Sequence, residues 1–190
     1  MDERSAITEE SLKIALLQQM ETVGFQKITV SSLTAKAGVN RTTFYLHYAD
    51  KYDLLDQVEN ELLEYIRESL PTSLRGVIES RSPRKLINDV ILKVLNFIKE
   101  HEFEFTVLLG PMGDPGFAVK YEQMINAAFT SEQLPFTAAM PIEYLVAVVS
   151  GAHISIIRAW LMRGMQESPD EMAKIVTGLI MSVRQGLAKL

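Results

Sequence analysis

At 190 residues, with 47% hydrophobic and 23% charged side chains, the chain has enough apolar material to fill one large domain core or two small ones. It contains no cysteine, which excludes disulfides, thiolate metal sites and thiol nucleophiles, and suits a reducing compartment. The net charge of -5 is unevenly spread: between residues 27 and 51 four cations (Lys27, Lys36, Arg41, Lys51) stand against the single acid Asp50, so this stretch carries +3 and the remainder -8. A basic face on an acidic body draws a polyanion to one place and repels it elsewhere, although solvated surfaces also carry patches of this size.

The opening MDERSAITEESLKIALLQQM is acidic where a secretion signal is basic, and charges interrupt it before a long apolar run forms. The most apolar later stretch, 142–160, carries Glu143, His153 and Arg158, which suits a buried or interfacial helix better than a bilayer span. The sequence therefore predicts a soluble, cytoplasmic protein without a membrane partner.

Apolar residues recur at steps of three and four throughout, and no segment alternates strictly between turn signals, so the expected fold class is all-α. The first helix is expected over Thr8–Val23, with Glu9 and Glu10 in its first turn, Leu12, Ala15, Leu16, Met20 and Val23 as its apolar stripe, and Gly24 as its stop. Thr29 is placed to cap a short helix ending at Ala37, Gly38 to make a tight turn, and Asn40 to cap a third helix from Arg41 to about Tyr48. Phe44 and Tyr48 fall on the inner side of that helix, which leaves Arg41, Thr42, Thr43, Tyr45 and His47 for its other faces. A longer helix runs from near Asp50 to Leu70 and stops at Pro71. The polar stretch PTSLRGVIESRSP then reads as a joint, followed by helical patterns over 83–100, 101–109, 115–129, 138–164 and 169–187, about nine helices in all. The expected division is an N-terminal domain over residues 1–50 and a C-terminal domain over 51–190, whose first helix, about 51–70, is the connector.

Two short helices around a glycine turn, the second bearing exposed donors, form the pattern of a helix-turn-helix whose second helix enters the DNA major groove. Arg41 suits a bidentate contact to guanine, while Thr42 and Thr43 suit thymine methyls or polar base edges. Tyr45, His47 and Lys51 suit phosphates, and Thr29 with the first amides of the second helix suits another. Alternatively, the aromatics are core and the hydroxyls merely cap helices.

The run ITVSSLTAKAGVNRTTFYLHYADKYDLL, Ile28–Leu55, resembles the DNA-binding domain of the tetracycline-repressor (TetR-like) family. The shared residues are Thr29-Val30, Ala37-Gly38-Val39, Thr43 to Tyr48, Lys51 and Leu54-Leu55, with Ala15, Leu16, Gly24 and Phe25 in the helix before. That resemblance implies a homodimer on a palindromic double-stranded operator, joined through a four-helix bundle built from the last two helices of each copy. It places Leu145, Val149, Ala152 and Ile156, then Ile175, Leu179, Ile180, Val183 and Leu187, at the dimer interface; an internal core would produce the same stripes. It also implies a small-molecule effector pocket in the C-terminal domain. Candidate lining residues there are Phe103, Phe105, Leu108, Met112 and Phe117, with Tyr121, Met124, His153, Ile157 and Trp160 further along. Aromatics and methionines at helical spacing fill ordinary cores as well.

Enzyme-like features do not complete themselves. HEFEF, residues 101–105, lacks the second histidine of a zinc-binding HExxH. GPMGDPG lacks the Gly-Lys-Ser/Thr ending of a phosphate-binding loop, and the three histidines fall in separate predicted helices. No catalytic set, metal site or cofactor is expected. The function indicated is a homodimeric transcriptional repressor whose operator affinity a small molecule controls; the alternative is a related coactivator or partner-binding regulator that acts through a protein contact of its C-terminal domain.

Overall fold

The computed structural model describes residues 3–71, 74–130 and 142–187. Among these the chain forms ten α-helices and one 3-10 turn, with no strand. The helices are α1 Glu3–Val23, α2 Val30–Ala37, α3 Arg41–His47, α4 Lys51–Ser69, α5 Leu74–Glu79, α6 Pro83–Glu100, α7 Glu102–Leu109, α8 Pro115–Thr130, α9 Ile142–Met162 and α10 Pro169–Leu187. The 3-10 turn, Phe25–Lys27, links α1 to α2. The contacts divide the chain into two compact units.

The first unit holds the residues up to Glu64 together with Phe103–Phe117. Leu12, Leu16 and Met20 of α1 are fully buried, as are Leu33 of α2, Phe44 of α3 and Leu54 of α4. α1 starts at Glu3, so Thr8 lies inside the helix and does not cap it. Nothing in the run from Glu3 to Ile7 breaks a helix, and Ser5 donates to Glu9 Oε1 at 3.2 Å within the added turn. At the other end Gly24 has φ 76°, a region that disfavours any side chain, and a Cβ there would lie 2.9 Å from Met112 Cε.

α10 packs against α6 in the second unit, which comprises 65–102 and 118 onward. Met172, Ala173, Val176 and Thr177 form the buried side of α10, and Thr177 Oγ1 reaches Asn88 Oδ1 of α6 at 3.4 Å. Tyr65 stacks on Phe97 with ring centroids 3.8 Å apart. The turn between α9 and α10 is fastened by Trp160, whose indole Nε1–H donates to the Glu167 carbonyl at 2.9 Å. Ser168 then caps α10 reciprocally: its amide donates to Glu171 Oε2 at 2.8 Å, and its hydroxyl oxygen accepts from the Glu171 amide at 3.3 Å. The Ser168 amide and hydroxyl both donate to Glu171 Oε2, the latter at 2.7 Å, and hold that carboxyl below the usual carboxylate range.

The stretch expected to be a polar joint contains α5, six residues long and packed on α6. Gly76 makes LRGVIE look like a turn, yet tertiary contact with α6 outweighs its local cost. α9 covers 142–162 within the expected 138–164, whose beginning lies outside the described residues.

Candidate nucleic-acid interface

Local hydrogen bonds build the helix-turn-helix. Thr29 Oγ1 accepts from the Ser32 amide at 3.1 Å, and the Thr29 amide donates back to Ser32 Oγ at 3.1 Å, a complete capping box. Both groups of Thr29 are thereby committed to starting α2. At its end Gly38 adopts φ 70°, and the amides of Gly38 and Val39 both donate to the Thr34 carbonyl, closing the helix in a Schellman-type turn. Asn40 Oδ1 then accepts from the Thr43 amide at 2.7 Å and the Thr43 hydroxyl at 3.0 Å, which starts α3.

α3 is two turns long and is oriented by what it buries. Phe44 is fully buried and Tyr48, the residue after the helix, nearly so, with their rings 5.7 Å apart. Burial pushes the Tyr48 hydroxyl up from its ordinary pKa, reinforced by the negative charge of Glu9, Glu61, Asp53 and Glu10. With 100° per residue, Thr42 and Leu46 fall opposite Phe44, about 40° from one another. Arg41 and Tyr45 occupy one flank, where Arg41 Nη2 donates to Tyr45 Oη at 3.4 Å. Thr43 and His47 occupy the other flank and are half-buried. His47 Nδ1 meets Glu9 Oε1 of α1 at 3.0 Å, a bond that ties α3 to α1. Arg41, Thr42 and Tyr45 are exposed, and so is Lys36 in the last turn of α2.

Lys51 is held by the backbone of the preceding turn. Its ammonium donates to three carbonyls, Phe25 at 3.1 Å, Gln26 at 3.2 Å and Ile28 at 2.9 Å, and lies 4.6 Å from the centre of the Phe25 ring. All three donors are engaged, so the residue fastens α4 to the 3-10 turn. Asp50 caps α4 beside it by accepting from the amides of Tyr52 and Asp53 at 2.8 and 2.9 Å. Sequence reasoning missed two residues: Glu9, the partner of His47, and Leu46, which is 79% exposed. The four-residue spacing from Thr42 to Leu46 was the available signal for the second.

The candidate effector residues separate by environment. Phe105, Leu108 and Phe117 are buried in the first unit, with the Phe105 and Phe117 rings 5.9 Å apart, whereas Phe103 and Met112 lie on the surface. In the second unit Ile157 and Trp160 are buried, and Met124 is half-buried. The structure also brings Tyr121 and His153 together: Tyr121 Oη lies 2.7 Å from His153 Nδ1. Burial lowers the histidine to a pKa of about 4 and raises the Tyr121 hydroxyl, so both are neutral at pH 7. When the tyrosine donates to Nδ1, the imidazole proton sits on Nε2. That atom is buried without a hydrogen-bond partner.

Of the expected interface residues, Ala152, Ile175 and Leu179 are exposed, and Val149, Ile156 and Ile180 are half-buried. The side chains of Leu145, Val183 and Leu187 lie outside the described residues. Tyr144, at 67% exposed, and Val148 are exposed apolar side chains of α9, as Ile175 and Leu179 are of α10. Among the described residues no helix is long and apolar enough to cross a membrane.

Comparison with known proteins matches both parts of the chain. A family model described as bacterial regulatory proteins, tetR family, matches residues 15–58, and one described as a transcriptional regulator C-terminal region matches 85–182. The uncharacterized HTH-type transcriptional regulator YxbF of Bacillus subtilis (strain 168) is 27% identical over 101 residues, which are 53% of this chain and 26% of that protein. The chain thus spans about a quarter of that relative's length. A TetR transcriptional regulator from Streptococcus agalactiae 2603V superposes with a TM-score of 0.68 at 17% identity, over 94% of this chain and 96% of that one. NalD of Pseudomonas aeruginosa, the secondary repressor of the MexAB-OprM multidrug efflux pump, superposes with a TM-score of 0.63 at 16% identity, over the same shares.

Proposed function

Because the chain belongs to the tetR family of bacterial regulatory proteins, a non-enzymatic family of transcriptional regulators, we propose that it is a homodimeric repressor whose hold on a palindromic operator is controlled by a small molecule. The observation that carries this is α3: Phe44 and Tyr48 anchor one side, and Arg41, Thr42 and Tyr45 are left facing solvent. Arg41 reads a guanine edge, Thr42 and the methyl group of Thr43 contact neighbouring bases, and Tyr45 and His47 meet phosphates.

Residues 1–50 act as the DNA-binding head, and the remainder serves dimerisation and effector binding. One helix-turn-helix reads few base pairs, and two copies related by a two-fold axis read half-sites about 34 Å apart. The apolar surface of α9 and α10, with Tyr144, Val148, Ile175 and Leu179, supports pairing of two copies there. Tyr121 and His153 support an effector contact, since a neutral buried pair with one unsatisfied nitrogen suits an uncharged polar group among apolar ones. To act as an inducer, that molecule must bind the low-affinity conformation better than the operator-competent one.

The test is selection of bound duplexes from a random DNA pool by purified protein, followed by titration of the enriched duplex at low and physiological salt. An enriched palindrome bound with a steep salt slope is expected. Absence of enrichment, with only salt-labile binding, overturns the repressor assignment and directs attention to a protein partner.

A further inference from the structure

We propose that Leu46 is a specificity residue that reads a thymine C5-methyl group, with Thr42 beside it, so that the operator half-site is defined at its centre by thymine methyls. This rests on the DNA-binding assignment of α3. Leu46 is the most exposed large apolar side chain among the described residues, at 79%, yet it sits on a helix whose opposite side is fully buried. It therefore does not belong to the core of the first unit, and it projects where α3 stands furthest from that core.

The flanks sharpen the inference. On one side the Thr43 hydroxyl is turned back to Asn40, and His47 is turned back to Glu9. Across the helix Arg41 and Tyr45 lean on each other. The outermost line of the helix thus carries the Thr42 side chain and the Leu46 isobutyl group, with the exposed cation Arg41 on one flank and a second exposed cation, Lys36, in the last turn of α2. Those cations suit the flanking phosphates and the guanine edges, leaving Leu46 to face the floor of the groove. In the major groove every base edge presents donors and acceptors, and the thymine C5-methyl is the apolar feature. A leucine over a guanine or cytosine edge would desolvate polar atoms without a partner, which penalises those bases.

The operator obtained by selection is resynthesised with each thymine replaced in turn by deoxyuridine, which keeps base pairing and deletes the methyl. Affinities are measured for the wild-type protein, Leu46→Ala and Thr42→Ser. At one or two positions per half-site the wild type is expected to bind deoxyuridine about fourfold more weakly, the affinity equivalent of one methylene removed from water. Leu46→Ala is expected to bind the thymine operator more weakly and to show no further loss with deoxyuridine at its position. Because Leu46 is exposed, its truncation leaves the helical circular dichroism and thermal midpoint unchanged, which separates lost reading from lost folding. Equal affinity for thymine and deoxyuridine throughout overturns the inference while leaving DNA binding intact. Methyl sensitivity that Thr42→Ser abolishes and Leu46→Ala preserves also overturns it. If no operator can be selected, the repressor assignment fails first and this inference falls with it.

Discussion

Replacing His153 isolates the effect of a buried neutral imidazole on stability. In the unfolded chain a histidine titrates near 6.5, and in the fold burial lowers His153 to about 4. Between these values the unfolded state holds a proton that the folded state lacks, so stability falls as the pH drops from 6.5 toward 4. A difference of 2.5 pKa units amounts to about 3 kcal/mol below pH 4, and about 2 kcal/mol of it is already lost on going from about pH 7.5 to pH 5. Trp160, the single tryptophan, is buried in the same unit, so its fluorescence reports urea unfolding there. His153→Leu deprives Tyr121 of its partner and is expected to be less stable than wild type at neutral pH. The decisive quantity is the slope: at fixed protein concentration the wild type should lose about 2 kcal/mol more than the variant over that range. Carboxylates titrate in both proteins and cancel in the difference. Parallel losses would mean that His153 titrates as in water, and would refute the buried neutral pair.

Other substitutions separate folding from DNA reading. Lys51→Met removes three charge-assisted bonds to carbonyls and should lower the unfolding free energy of the first unit by about 2 kcal/mol in urea titrations followed by circular dichroism. Asn40→Ala deletes the cap of α3 and should cost about 1 kcal/mol in the same assay. Gly38→Ala places a side chain at φ 70°, where a Cβ would meet no atom within 4 Å, so the expected loss of about 1–2 kcal/mol is purely conformational and Gly38→Asn should be milder. Leu179→Glu charges an exposed position of α10; analytical ultracentrifugation should show a wild-type dimer and a folded monomeric variant.

The parts of the site that were legible in the sequence are those written in local bonds. Thr29, Gly38 and Asn40 act on residues three or four positions away, so hydroxyl, glycine and amide at the right spacing suffice to place α2 and α3. Residues whose partners are distant were not legible. Lys51 looks like any exposed cation until folding brings the carbonyls of residues 25–28 within reach. Tyr121 and His153 lie 32 residues apart in sequence, and nothing in either neighbourhood announces the other. The apolar stripe of α10 was visible, but periodicity could not divide it into the side that meets α6, with Met172 and Val176, and the side left outward, with Ile175 and Leu179. The early start of α1 was missed because the sequence supplied a plausible cap at Thr8 and nothing to mark a helix continuing past it.

The bond between His47 and Glu9 bears on whether the recognition helix is a portable part. Two turns of helix are too short to hold their shape in isolation. α3 keeps its pose through Asn40 at one end, Phe44 and Tyr48 along its inner side, and a carboxylate on α1 near the other end. Transplanting Arg41–His47 into another regulator would carry the side chains proposed to read bases without the α1 carboxylate that holds His47. A chimera meant to inherit this operator must import Glu9 with α3. Variation at Glu9 would change how α3 is held without altering a single residue of α3 itself.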